Sequence, residues 1–293
     1  MKSVKPICGS WRQLCWRFFF LEGSLCAKKY GLALVIGVGA CAGAFAQNMS
    51  LKTASGGELG LQVSNYKYEE QANGSFLMSN EGSKIGVTGS LTQTLTNNWY
   101  ITGDLRYASG NVDYTGSGTK SGNSDVLTEL RLLAGNDFNR GGYLLSPYIG
   151  LGARSLNNDM RGTSSTGASG YRRESFYTYL PIGVTHRFQA GSDARISTSL
   201  EYDALIAGTQ NSRLSDVSSG YNDQSNKQRK GYGLRLGMNY ETMGWSAGVF
   251  YHYWNIDNSD QSTVTYNGVP VATGYEPQNT TKELGVQVKY RFY

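Results

Sequence analysis

Strict alternation along the last stretch of the chain, "ELGVQVKYRFY" (residues 283–293), is the feature that most constrains the fold. Its apolar side chains are two residues apart: Leu284, Val286, Val288, Tyr290 and Phe292. Glycine, glutamine and charged residues occupy the positions between them. Because successive side chains of an extended strand point to opposite faces, this segment forms a strand with one apolar and one polar face. The rest of the chain decides which solvent the apolar face meets.

The same alternation recurs in nine earlier segments. Apolar residues lie two apart within residues 59–63, 85–95, 99–107, 130–134, 145–153, 180–188, 196–202, 234–238 and 245–253. After residue 46, no stretch reaches the roughly 20 apolar residues that a membrane-spanning helix needs. The sequence therefore predicts an all-β fold of about ten strands.

The connections between these strands are of two kinds. Those after the second, fourth, sixth and eighth strands are short, such as Asn97-Asn98 and "QAGSD" at 189–193. Those after the odd-numbered strands are long and polar, covering residues 71–82, 109–125, 156–174, 207–230 and 255–281. A β-sandwich or a soluble lipocalin-like barrel also has alternating strands, but neither explains this sorting by length. The pattern predicts a closed antiparallel up-and-down transmembrane β-barrel with short periplasmic turns and long extracellular loops.

Aromatic residues collect at the strand ends. Six are at the short-turn ends and are predicted to mark one membrane interface: Trp99, Tyr143, Phe188, Tyr240, Trp245 and Phe292. Five more lie towards the long-loop ends: Tyr66, Tyr68, Tyr107, Tyr251 and Tyr253. Two aromatic girdles are typical of transmembrane barrels, so we expect the apolar face of each strand to meet lipid.

The start of the chain has the pattern of a secretory leader. Lys28 and Lys29 precede an apolar run over residues 30–40, and "AFA" at 44–46 supplies a cleavage site. We expect cleavage after Ala46, which divides the chain into a leader (1–46) and a barrel domain (47–293). "VGAC" at 38–41 is an alternative, lipoprotein-like site. Residues 1–26 are either a true extension or the product of an upstream mis-start.

Charge and cysteine usage exclude several classes of protein. The formal net charge of +5 comes from the leader, which holds six of the 27 Lys and Arg and one of the 22 Asp and Glu. The rest is balanced, which gives no indication of nucleic-acid binding. All four cysteines precede residue 47, so the exported domain has neither a disulfide nor a thiolate metal site.

The terminal strand resembles the C-terminal signal of Gram-negative outer-membrane β-barrel proteins, with alternating apolar residues that end on Phe292 and Tyr293 added behind it. The resemblance implies a bacterial outer-membrane location and recognition by the barrel-assembly machinery. It also implies contact with outer-membrane lipid and lipopolysaccharide. We expect a small, porin-like, monomeric barrel of about ten strands.

The inward phase of the predicted strands is polar and mixed in sign. Twelve charged residues are predicted to line the lumen: Asp104, Arg106, Glu129, Arg131, Arg154, Arg187, Arg195, Glu201, Asp203, Arg235, Lys289 and Arg291. Ten strands enclose a narrow space, so these charges are expected to pair. Two readings stay open: a rigid, ion-paired interior, or a narrow pore with a slight preference for anions.

The two histidines give no support for an enzyme. His252 lacks the Asp-His spacing of ten-stranded outer-membrane proteases, and neither His186 nor His252 has a serine at the short spacing of outer-membrane phospholipases. The sequence predicts no catalytic residue, no metal site and no cofactor.

Three functions remain open. The favoured one is a porin-like or structural surface protein. The alternative is a loop-mediated adhesin or host-factor binder, which could use the basic clusters "YRRES" (171–175) and "NKQRK" (226–230). An outer-membrane hydrolase is the least favoured. Pro181 adds a local prediction, since proline cannot donate to a ladder: the pairing between the fifth and sixth strands is broken near it.

Overall fold

The computed structural model describes residues 49–293; the predicted leader and its cleavage site lie outside these residues. Fourteen strands make up most of this range. They are β1 (Gly56–Ala72), β2 (Ser75–Thr94), β3 (Trp99–Gly116), β4 (Gly118–Asn136), β5 (Phe138–Asn139), β6 (Tyr143–Thr163), β7 (Ser169–Gln189), β8 (Ala194–Ser212), β9 (Gln224–Gln228), β10 (Gly231–Thr242), β11 (Trp245–Ile256), β12 (Gln261–Tyr266), β13 (Val269–Tyr275) and β14 (Gln278–Phe292). Two 3-10 turns cover Thr96–Asn98 and Leu214–Asp216. Among the described residues, no helix has the length and apolar character needed to cross a bilayer.

Ten of these strands close into a barrel. Sequence neighbours pair antiparallel around the sheet, β14 pairs with both β1 and β11, and β10 joins β8 to β11. Of the four shorter strands, β5 pairs with the start of β6, β9 extends β8, and β12 and β13 form a separate hairpin. The predicted fold class is confirmed.

Three of the long connections are themselves built of paired strand. Residues 71–82, 109–125 and 156–174 mostly continue the ladders of β1–β2, β3–β4 and β6–β7. The β1–β2 ladder ends in a tight turn at Asn73 (φ 51°) and Gly74 (φ 77°), where an Asn-Gly pair tolerates positive φ. The extension has no apolar alternation on its outer face, which is why its sequence resembles that of a loop.

The outer wall changes character along the strands. In the half near the short turns, outward side chains are apolar and exposed, such as Leu61 (62%) and Leu91 (68%). Further along β1, the outward side chains are Asn65, Lys67 and Glu69. A transmembrane strand needs only about 9–11 residues, whereas β1 has 17. We call the apolar half the belt and the polar half the upper barrel.

The six predicted interface aromatics lie at the short-turn edge of the belt, and Trp99 (51%) and Tyr240 (50%) are among its exposed residues. The prediction is wrong for two of the five tyrosines at the other edge. Tyr66 and Tyr68 are 2% and 7% exposed and lie inside the barrel. They share the inward phase of Ser64, so alternation takes precedence over their position along the strand.

The break predicted near Pro181 is confirmed. The β6–β7 ladder pairs Ile149 with Ile182 and Gly152 with Tyr179, but the two positions between them are unpaired. Register is the same on both sides of the gap, so there is no bulge in this ladder. The bulge lies instead between β7 and β8, next to Tyr179.

Candidate functional site

The structure places all twelve charged residues predicted to line the lumen on the inner side of the wall. β3 carries Asp104 and Arg106, β4 carries Glu129 and Arg131, and β8 carries Arg195, Glu201 and Asp203. The remaining five are Arg154 on β6, Arg187 on β7, Arg235 on β10, and Lys289 and Arg291 on β14. They do not form one site, but lie at successive heights along the lumen.

Arg235 is the centre of the ion pairs at mid-height. Its Nη1 donates to Glu129 Oε2 at 2.9 Å and its Nε to Asp203 Oδ2 at 2.6 Å. The same Nε lies 3.1 Å from Glu201 Oε1. All four residues are at most 7% exposed. Buried charges persist only when they are paired and hydrogen-bonded, so this network is a rigid tie across the lumen between β10, β8 and β4.

Arg131 extends this ion-pair network towards the short-turn end of the barrel. Its Nη1 lies 2.6 Å from Glu201 Oε1 and its Nη2 lies 2.7 Å from Asp104 Oδ2. A cavity of about 190 Å³ begins here, with His252 and Lys289 also in its lining. The charged groups therefore face water on one side and each other on the other side.

A second cavity of about 250 Å³ occupies the short-turn end of the lumen. Arg291 and Arg195 both reach Glu241 Oε2, at 3.0 and 2.7 Å. Glu58 pairs with Arg291 and lies 3.6 Å from Lys289. Arg195 is buried here, whereas Arg291 and Lys289 are only partly buried and line the cavity, as in a vestibule open to water.

Above the central ion pairs the lumen is filled by apolar and aromatic side chains. We call this cluster the aromatic plug: Leu127, Leu156, Tyr177, Tyr179, Trp254 and Ile256. None of its members is more than 6% exposed. Tyr179 meets Trp254 edge-on with ring centroids 5.0 Å apart, a favourable arrangement for two aromatic rings.

Two buried ion pairs complete the layer beside the plug. Lys84 binds Asp125, and Arg106 binds Glu283, with every member at most 8% exposed. The gap between Arg106 and Trp254 is too small to hold a water molecule. Side chains from opposite walls thus close the lumen at this height.

Arg154 departs from the expectation that the lumen charges pair. It is 3% exposed and has no ion-pair partner among residues 49–293. Its guanidinium carbon lies 5.0 Å from the centroid of Trp254. A cation–π contact in a desolvated site stabilises a guanidinium. Trp254 of the plug therefore provides part of the stabilisation that a carboxylate would give Arg154.

The histidines lie apart from one another. His252 faces the lumen, where its Nδ1 is 3.3 Å from Arg106 Nη1. His186 is on the outer face, with Tyr143 and Phe188 at centroid distances of 5.3 and 5.4 Å. Across residues 49–293, no group of three or more His, Cys, Asp or Glu is arranged to hold a metal ion.

The upper barrel has an interior of its own. The Tyr68 hydroxyl donates to Glu70 at 2.9 Å and lies 3.1 Å from Glu276, and Arg173 pairs with both carboxylates. Burial, and then the neighbouring Glu70, raise the pKa of Glu276 to about 8 despite Arg173. Of the predicted basic cluster at 171–175, Arg173 is therefore buried, and Arg172 pairs with Asp216 at 2.9 Å.

The lumen prediction omitted several inward charges. Each alternates with an outward apolar or aromatic residue, so the same rule would have found them: Glu58, Lys84, Asp125, Glu241 and Glu283. Glu70 of the upper barrel gives no such signal, because its neighbours Glu69 and Gln71 are polar. Glu276 lies between β13 and β14, outside the alternating strands.

Comparisons with known proteins agree with this architecture. No family model matches the chain, and no curated protein matches it. Among solved structures it is similar to the outer membrane protease OmpT from Escherichia coli, with 14% identity, a TM-score of 0.54, and 83% of this chain and 100% of that chain covered. The outer membrane protein OprG from Pseudomonas aeruginosa matches at 8% identity and a TM-score of 0.35, covering 83% and 99% of the two chains. At 14% identity the likeness to OmpT is one of fold alone: the chain shares the closed antiparallel β-barrel of that outer-membrane protein.

Proposed function

We propose that this protein is a non-conducting surface scaffold of the bacterial outer membrane. Its belt would lie in the lipid, with the short turns in the periplasm and the upper barrel outside the cell. Lipid and lipopolysaccharide would contact the belt, the assembly machinery would read β14, and the barrel would be a monomer. The single observation that carries the proposal is the aromatic plug with its flanking ion pairs.

A pore needs a continuous path of water, and the plug removes it. Two cavities occupy the lumen from the short-turn end as far as the central ion pairs and are large enough for water. Opening the layer above would expose buried apolar surface and separate Arg235 from Glu129. Breaking a buried ion pair by removing one partner costs about 3–5 kcal/mol. Such a barrier favours a closed barrel over the anion-preferring pore.

Single-channel recording in planar bilayers tests this proposal. The wild type is expected to insert without discrete conductance steps. A double variant, Tyr179→Ala with Trp254→Ala, removes two of the three plug rings and is expected to conduct. Its matched control is Tyr251→Ala with Tyr253→Ala, which changes outward residues of the same wall. Discrete conductance steps from the wild type would refute the proposal that the barrel does not conduct.

A second candidate, a host-factor binder, is favoured by the β12–β13 hairpin. The hairpin exposes Val269 (62%), Val271 (55%) and Tyr275 (43%) far from the belt. Exposed apolar groups at a loop tip are typical of an interaction surface. A non-adherent bacterium that displays the protein would bind host cells, and replacing residues 261–275 with a short Asn-Gly turn would abolish that binding.

A further inference from the structure

The upper barrel encloses a third cavity, above the plug. It has a volume of about 300 Å³ and is open towards the long-loop end. More of its lining is apolar than polar, and its main apolar contributors are Leu77, Met78, Tyr114, Met160 and Tyr171. Methionine side chains adapt to irregular ligands, and a mostly apolar concave site with a few polar groups is the usual form of a small-molecule pocket.

One buried cation in this lining is incompletely satisfied. Arg173 is 7% exposed, and its Nη2 serves both Glu70 and Glu276. Among residues 49–293, its Nε has no hydrogen-bond partner, and its Nη1 meets only the Met78 sulphur at 3.9 Å. A guanidinium has five N–H donors, and leaving buried donors without an oxygen acceptor is costly. The site therefore lacks an acceptor on the side of Met78.

The balance of charge favours an anionic acceptor. Lys120 also lines the cavity, where it bonds to Asn123. The acidic groups are Glu70 in the lining and Glu276 behind it. Burial and the neighbouring Glu70 raise the pKa of Glu276, so this carboxyl keeps its proton to a higher pH than an ordinary glutamate. Arg173 and Lys120 therefore face less than two full negative charges.

We propose that this cavity binds a small amphiphilic anion, an apolar chain or ring that carries one carboxylate. The apolar part packs against Met78 and Met160, and the carboxylate accepts hydrogen bonds from Arg173 and Lys120. This inference goes beyond the scaffold function and does not depend on it, because the cavity lies on the far side of the plug from the periplasmic vestibule.

The methionines allow a direct test without mutation. Protein labelled with ¹³C-methyl methionine is placed in lipid nanodiscs and titrated with octanoate. The Met78 and Met160 signals are expected to shift saturably. Met238 and Met243, exposed on the belt side at 51% and 52%, report octanoate that merely partitions into lipid. Shifts confined to Met238 and Met243 would overturn the proposal.

Two matched pairs of variants separate the contribution of cavity shape to octanoate binding from the contribution of charge. Ala168→Trp fills the cavity wall and is expected to abolish octanoate binding, whereas Ala272→Trp, on the exposed β13, leaves it unchanged. Lys120→Gln removes a charge-assisted hydrogen bond and is expected to weaken octanoate roughly tenfold but not octanol. Lys227→Gln, which changes an exposed side chain on the outer side of β9, is its control. Octanoate affinity that is equal in Ala168→Trp and wild type would show that the cavity is not the site.

Discussion

Tyr179 on β7 donates its phenolic hydroxyl to Glu129 Oε1 on β4 at 2.7 Å, and the same hydroxyl lies 3.0 Å from Arg235 Nη2. One side chain thus belongs to two structures at once. Its ring is part of the aromatic plug, and its hydroxyl is part of the central ion network. Because Glu129 and Arg235 hold the Tyr179 hydroxyl, the ion network also fixes the position of the plug along the barrel axis.

Tyr179→Phe separates these two roles. The ring stays, so the plug stays closed, but Glu129 loses one donor. Hydrogen bonds to charged groups contribute about 1.5–3 kcal/mol, and we expect a loss of this size in the free energy of unfolding. Urea-induced unfolding in lipid vesicles measures it. Tyr202→Phe, on the outer face, is the control; equal losses in both variants would contradict the role of the Glu129 contact.

Leu236→Arg tests the belt. Leu236 is 51% exposed on the outer face of β10, and arginine near the bilayer midplane destabilises a barrel by about 2–4 kcal/mol. Asn239→Arg, on the inner face of the same strand and lining the lower cavities, is the control. Gly237 is less suitable, because a Cβ there would lie 2.6 Å from Ser199 Oγ. Equal stability of Leu236→Arg and wild type would place this face away from lipid.

Glu276 makes the upper barrel sensitive to alkali. Its pKa is raised to about 8 in the folded chain, above the ordinary 4.5, so the folded state holds this proton more tightly than the unfolded state. The stabilisation is complete below pH 4.5 and is lost as the pH rises through 8. Glu70, Arg173 and Tyr68 are the ionisable groups in contact with it.

Hydrogen exchange over residues 258–280 measures this loss. After correction for intrinsic rates, protection is expected to be lower at pH 9 than at pH 6. Glu276→Gln keeps the shape without the proton, and its protection would not change between these pH values. A wild type with equal protection at both pH values would contradict the stabilisation by the proton on Glu276.

The leader prediction stays open and has a simple test. N-terminal sequencing of protein from outer membranes is expected to begin at Gln47. A lipid-modified Cys41 would instead show that the lipoprotein-like site is the one used.

The belt could be predicted from the sequence because lipid imposes one rule on every strand. Leu59, Leu61 and Val63 must be apolar wherever β1 meets lipid, so a period of two is visible. The same rule predicts the charges that line the lumen, because they occupy the positions between the apolar residues. Closure at ten strands followed from the sorting of the connections by length.

The plug and the upper barrel could not be predicted in this way. Whether Trp254 contacts Tyr179 depends on the stagger between strands that are far apart in sequence. The alternation of apolar and polar residues gives no information on that stagger. The upper strands face water on the outside, so Asn65 and Lys67 show no hydrophobic period. Their sequence therefore resembles that of a loop, and position along the strand places Tyr66 and Tyr68 on the outer face, whereas both lie inside the barrel.

The change of outer surface along a single strand limits how the chain can vary in length. On β1, Val63 faces lipid and, three residues on, Tyr66 faces the interior. A one-residue insertion between them would turn the whole upper segment over and expose its tyrosines to water, while the belt below kept its register. A two-residue insertion would preserve both faces. Natural variation in the length of these strands is therefore expected to come in pairs of residues.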